Sequence, residues 1–197
     1  MGEMIKMIVV LTFLSSFSGG LLAYVKESTE KRIEDQVLKF VKGPTLKNLF
    51  KDAENDPLTD RFTLERDQQV MTFFVAKLDG KTQTVAFETS GKGYGGDVGL
   101  MVAVDVASDK IYGAGVTTNS ETAGLGSMAK DNPNFAAQFT GQPILETIQV
   151  TGDGGKINAL SGATITSRAV CAAATEAGKT YKRLKPEIEE KLKSLTP

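Results

Sequence analysis

The chain has 197 residues, with 23 basic and 24 acidic side chains, a formal net charge of -1 and 41% hydrophobic residues; that length suits one globular domain with an appended segment. Balanced charge without a Lys/Arg-rich tract excludes the clustered basic face of nucleic-acid binders, so no nucleic acid is expected as a partner. The absence of histidine and the single cysteine, Cys171, exclude Cys/His zinc and iron–sulfur sites, a histidine-based triad and an intramolecular disulfide.

In chain order, the first feature is an uncharged run over 7–25 (MIVVLTFLSSFSGGLLAYV), bounded by Lys6 and by Lys26-Glu27. As a helix rising about 1.5 Å per residue it approaches the thickness of a bilayer's hydrocarbon core, so it reads as a membrane anchor. A cleaved signal peptide is the competing reading, with Ser16-Phe17-Ser18 or Ser18-Gly19-Gly20 as the small-x-small site. Continuation of the apolar run through Val25 favours the anchor. Lys6 on one side against Lys26, Lys31 and Arg32 on the other leaves the orientation open on charge alone.

Residues 26–42 place Ile33, Val37, Leu38, Phe40 and Val41 near helical spacing among charges, with Gly43-Pro44 as a stop, and predict an amphipathic helix. The stretch 51–67 is polar and reads as irregular. Strand patterns follow at 69–78 and 82–88, joined by Asp79-Gly80-Lys81, and at 100–106 and 110–116, joined by Ala107-Ser108-Asp109. Two such hairpins predict an antiparallel meander sharing one apolar face. Between them lies a loop with four glycines, 91–97 (GKGYGGD), in which Tyr94 reads as filling the end of the sheet. Beyond the sheet come Glu121-Thr122-Ala123-Gly124-Leu125-Gly126, an Asn/Pro break at 131–134, a short apolar piece, and a further strand pattern over 147–159. A helix is predicted from Ser167, as N-cap, to Lys185, with Pro186 after it and a last short helical segment beyond. Cys171 sits within its alanine-rich run and reads as a packing residue.

Just ahead of that helix, 161–167 (SGATITS) holds four hydroxyl side chains. One reading is a capped turn, with Ser167, Thr166 or Ser161 meeting backbone groups. The other is an anion pocket, in which a hydroxyl, an unshielded Gly162-Ala163 backbone and the helix N-terminus receive a phosphate. Neither a GxxxxGK[ST] loop nor a strand–GxGxxG–helix fingerprint is present, so the phosphate would not be that of a P-loop or Rossmann ligand.

The ordered set of N-terminal anchor, GYGG (93–96), ETAGLG (121–126) and SGATITS resembles the FMN-binding domain family, which includes the G subunit of the Rnf electron-transport complex and the C subunit of the sodium-translocating NADH:quinone oxidoreductase. The resemblance covers most of the chain, and the length is nearer the Rnf protein; the quinone-reductase protein is the alternative, and a cofactor-free membrane-anchored assembly domain is the reading without it. The resemblance implies an α+β fold, a single transmembrane helix followed by one domain whose antiparallel sheet is flanked by helices, with an N-terminal segment 1–25, a connector 26–67 and the domain at 68–197. It implies FMN joined through its phosphate to Thr164, with Ser161, Gly162, Ala163, Ile165 and Thr166 around the attachment, and Glu121, Thr122, Gly124, Leu125 and Gly126 against the ring. It further implies a separate flavin transferase using FAD and a divalent metal, contact with membrane lipid and the other members of an Rnf-type complex, and a bacterial inner membrane with the soluble domain on its periplasmic side. Ala123 stands where the family's ETPGLG has proline, and Asn158 where an acidic residue is common.

Overall fold

The computed structural model describes residues 2–66, 69–78 and 80–195. Asp79 of the first expected turn, and Gln68 at the expected domain boundary, lie outside the described residues. The chain divides into two units, Met1–Phe40 and Val41–Pro197.

The first unit is helix α1, Gly2–Gln36, leading into a π-helical turn, Val37–Lys42. Its apolar stretch is long and apolar enough to cross a membrane. Large apolar side chains such as Phe13 and Leu22 are exposed along it, and the Thr12 hydroxyl donates to the Ile8 carbonyl at 2.8 Å, so the polar group is satisfied within the helix. Gly43-Pro44 does not end the helical run as expected: Pro44 sits in the first turn of α2, Gly43–Leu49, where its missing N–H costs no hydrogen bond.

In the second unit five strands form one antiparallel sheet in sequence order: β1 Arg61–Arg66, β2 Gln69–Leu78, β3 Lys81–Lys92, β4 Asp97–Asp105 and β5 Lys110–Val116. The two expected hairpins are present, and β3 and β4 also pair along their length, Val85 opposite Val104 and Lys92 opposite Asp97. The polar stretch over 51–67 was expected to be irregular, yet its end forms β1. Most side chains of β1 are solvated, so its apolar signal reduces to Leu64 and to Phe62, which stacks on Phe73 directly across the ladder at 5.4 Å.

One face of the sheet is covered by α5, Thr164–Leu195, through Ala169, Val170, Ala173, Ala177, Tyr181 and Leu184 against Phe87, Val102 and Val104. On the other face α2 meets β5, where a side chain on Gly113 or Gly115 would run into Leu49 or Thr45. Helices on both faces explain why β4 is buried at nearly every position. Two short helices, α3 Met128–Asp131 and α4 Pro133–Ala137, insert Ala129 and Phe135 into the core.

Three further expectations are corrected here. The last helix begins at Thr164, not Ser167, and it runs through Pro186 to Leu195 as one element. Pro186 removes one backbone bond, but Leu184, Ile188 and Leu192 recur at every fourth residue and are all buried, so packing carries the helix past it. Over 147–159 no full strand forms: Val150 and Ile157 make one parallel bridge around a 3-10 turn, Thr151–Asp153.

Candidate functional site

Three segments far apart in sequence meet beside the start of α5: the loop 93–96 between β3 and β4, the turn 121–126 after β5, and 161–166. The Glu121 carboxylate joins them. Its Oε1 accepts the Gly95 N–H at 2.9 Å, and its Oε2 accepts the Thr166 hydroxyl at 2.5 Å, within the range of a charge-assisted O–H···O⁻ bond. No ion pair to Glu121 is found among the described residues. Gly126 makes the space: a Cβ there would lie 2.5 Å from Glu121 Cβ and 2.8 Å from Thr166 Oγ1.

The turn 121–126 is closed by Leu125 and Ser127 N–H groups donating to the Thr122 carbonyl, each at 3.2 Å, and by the Gly124 N–H donating to Ser127 Oγ at 3.0 Å. Gly124 is exposed with φ 75°, a left-handed conformation that favours glycine, and nothing lies within 4 Å of where a Cβ would stand. Gly162 also has φ 75°, and the Leu125 Cδ2 is 3.1 Å from its would-be Cβ, so the second and third segments touch there. Leu125 and Ile165 are each about half exposed, at 47% and 50%, and Thr122 is solvent-facing.

The four hydroxyls of SGATITS divide into two pairs. Ser167 is fully buried, its Oγ accepting the Leu160 N–H at 2.9 Å and donating to the Ala163 carbonyl at 3.0 Å, which ties down the turn into α5 from inside its first turn rather than capping it. Thr166 is buried and bound to Glu121. Ser161 and Thr164 are exposed, and Thr164 is the first residue of α5, where the leading N–H groups lack intrahelical acceptors and the helix dipole is positive. Ala163 is buried beneath them.

The nearest cation on α5, Arg168, is already engaged: Nε and Nη2 each donate to Asp153 at 2.7 Å. The hydrogen bond from Arg168 holds the Asp153 carboxyl below its ordinary range, and the same bond raises the guanidinium. Cys171 is buried, and burial, aided by the Asp153 charge, pushes its thiol up to about 12, which bears out its reading as a packing residue. Tyr94 does not fill the sheet end; it projects into solvent at 75% exposure. Among the described residues no group of His, Cys, Asp or Glu is arranged to hold a metal ion.

Sequence reading named three segments that lie side by side in the structure, but not the bond that joins them. Nothing local marks Glu121 as the partner of Thr166, 45 residues away. A further buried-edge network went unseen: Glu88 accepts the Thr117 hydroxyl and pairs with Lys42 at 2.7 Å, while Lys130 donates to the Thr117 carbonyl at 2.8 Å.

Residues 93–179, which contain all three segments, match the model of the FMN-binding domain family. The G subunit of the ion-translocating oxidoreductase complex of Cereibacter sphaeroides is 39% identical over 123 residues, a match spanning 59% of this chain and 56% of that protein. The protein of the same name from Haemophilus influenzae (strain Rd) is 32% identical over 162 residues, covering 78% of this chain and 76% of that one. Among solved structures, the C subunit of the Na(+)-translocating NADH-quinone reductase from Parabacteroides distasonis is similar at a TM-score of 0.53 and 27% identity, over 59% of this chain and 63% of that chain. With the site assembled inside the matched domain and the Haemophilus protein aligned over most of its length, the chain belongs to the G-subunit family of ion-translocating oxidoreductase complexes.

Proposed function

We propose that the protein is a membrane-anchored electron-transfer subunit that carries FMN on Thr164, within an Rnf-type complex that couples ferredoxin:NAD electron transfer to ion translocation. The observation that carries the reading is the contrast between the motif's two threonines: Thr166 is buried and bound, whereas Thr164 is exposed at the leading end of a 32-residue helix. Membership of the FMN-binding domain family and the names of the relatives support the cofactor and the assembly.

The residues present fit a phosphate at Thr164. Its hydroxyl is free of the packing that holds Thr166, the first-turn N–H groups of α5 lack intrahelical acceptors beside it, and Gly162 is itself exposed. In the attachment, the Thr164 hydroxyl would accept the FMN phosphoryl group of FAD, a P–O bond forming at Thr164 Oγ as the pyrophosphate bond breaks, with AMP leaving and the hydroxyl proton passing to a base that the transferase would supply. Exposed Leu125 and Ile165 offer apolar cover for a planar ring, and the open backbone at Gly124 permits its close approach. FMN when bound supplies one- and two-electron transfer, and the protein supplies position and electrostatics. A carrier that never dissociates suits a relay between neighbouring proteins of a complex, and the apolar helix α1 would hold it at the membrane with the second unit on the periplasmic side.

The test is intact mass and in-gel flavin fluorescence of the denatured full-length protein, co-expressed with a flavin transferase, as wild type, Thr164→Val and Thr166→Val. An FMN-sized adduct is expected in wild type and is abolished only by Thr164→Val. Absence of any adduct beside an active transferase would overturn the covalent reading, and loss only in Thr166→Val would move the site.

A further inference from the structure

Glu121 has the makings of a ligand group by sequence, yet both its carboxylate oxygens are directed at the protein itself. Oε1 holds the glycine-rich loop through the Gly95 N–H, Oε2 holds the first turn of α5 through the Thr166 hydroxyl, and Gly126 is bare where a side chain would push the carboxylate away. Successive residues of a helix are about 100° apart, so Thr164 and Thr166 face in different directions. Fixing Thr166 inward against Glu121 therefore fixes Thr164 outward.

We propose that Glu121 is a positioning residue: by binding Gly95 and Thr166 at once it locks the three segments together and sets the outward presentation of the Thr164 hydroxyl for flavin attachment. The proposal rests on Thr164 being the attachment site. Its physical content is the hold on two segments at once, not a charge acting on the flavin. The carboxylate meets two neutral donors, and a glutamine can serve both, its carbonyl accepting the Gly95 N–H while its NH2 donates to the Thr166 hydroxyl, which turns to accept. A group acting through its charge on a ligand would not be replaced in this way.

The experiment has two arms, both on the full-length protein in detergent. In the first, carried out without flavin, amide hydrogen exchange is followed over 93–97 and 161–167 in wild type, Glu121→Ala, Glu121→Gln and Thr166→Val. Glu121→Ala is expected to speed exchange in both segments by about tenfold or more, Glu121→Gln to stay near wild type, and Thr166→Val to loosen chiefly 161–167. In the second, the initial rate of adduct formation is measured with transferase and FAD. Here Glu121→Ala is expected to fall about tenfold or more, in line with the cost of misplacing a reacting group, and Glu121→Gln to recover to within about threefold. The double variant Glu121→Ala/Thr166→Val should be no slower than Glu121→Ala, because both remove the same link. Unchanged exchange in Glu121→Ala would overturn the proposal, as would a glutamine variant as slow as alanine or losses that simply add. If Glu121→Ala does not fold, Thr166→Val with Glu121→Gln carries the same comparison. No adduct on wild type would sink the flavin reading instead, and the exchange arm would still decide whether Glu121 locks the segments.

Discussion

Asp109 and Glu121 both anchor α5 to the sheet side of the domain, at points roughly 22 Å apart for a rise of about 1.5 Å per residue, and they do so with different partners. Asp109, in the β4–β5 turn with φ 55°, accepts from the Tyr181 hydroxyl at 2.7 Å and from Lys185 Nζ at 2.6 Å, so its charge is met by a cation. Burial works to raise its carboxyl, but the hydrogen bonds from Lys185 and Tyr181 and the Lys185 charge prevail and hold it below the ordinary range. The Tyr181 phenol is pushed up, by burial first and by Asp109 second. Glu121 instead meets a backbone N–H and a hydroxyl, both neutral, beside the positive end of the helix. The first arrangement secures the helix body to the core; the second sets the geometry of two loops and leaves a hydroxyl in solvent. Stability and site geometry are thus placed at separate points on one helix, and variants at the two points should separate them.

The largest effect is expected at the Asp109 end. Tyr181 is fully buried in the core, and Tyr181→Ala should cost about 3–5 kcal/mol, read as a fall in the midpoint of urea unfolding. Asp109→Asn keeps an acceptor for Tyr181 but removes the carboxylate charge that pairs with Lys185, and should cost about 1–2 kcal/mol at neutral pH. Because the Asp109 carboxyl is lowered in the folded state, its contribution is present above the unfolded carboxylate value near ~3.9 and is lost as pH falls through the folded value. The gap between wild type and Asp109→Asn should therefore close in acid; a gap that persists at the lowest pH would show that the ion pair is not its source.

At the Glu121 end the balance should reverse. Gly126→Ala forces a methyl to 2.5 Å from Glu121 Cβ, and should slow flavin attachment about tenfold while lowering stability by only ~1–2 kcal/mol. Equal losses in the two readouts would erase the distinction between the ends. Least of all is expected from Arg168→Gln: the Arg168–Asp153 pair is solvent-facing, and the unfolding midpoint should not move measurably, whatever the salt.

Much of this fold is written in local pattern. The hairpins around Gly80 and around Ala107-Ser108-Asp109 follow from alternation and turn residues, and the apolar run over 7–25 follows from length and composition. β1 was hidden because its pairing is a backbone matter on a solvated edge, leaving little apolar alternation to read. Pro186 misled because its local preference to end a helix is outweighed by Ile188 and Leu192, whose burial depends on the sheet beneath them. The strand pattern over 147–159 misled for the opposite reason: its apolar residues enter the core from a loop, without neighbours to pair along a full ladder.

For the site, sequence by itself determined the parts: three glycine-bearing segments, a threonine-rich entry to a long alanine-rich helix, and a long apolar run ahead of them. Which hydroxyl faces solvent was decided only by the tertiary structure. Ser161, Thr164, Thr166 and Ser167 have similar chemistry and close positions, and their roles diverge through partners supplied from elsewhere, Glu121 for Thr166 and the Leu160–Ala163 turn for Ser167. A hydrogen bond across 45 residues leaves no periodic trace in the chain, since its geometry exists only once the sheet has brought the loops beside the helix.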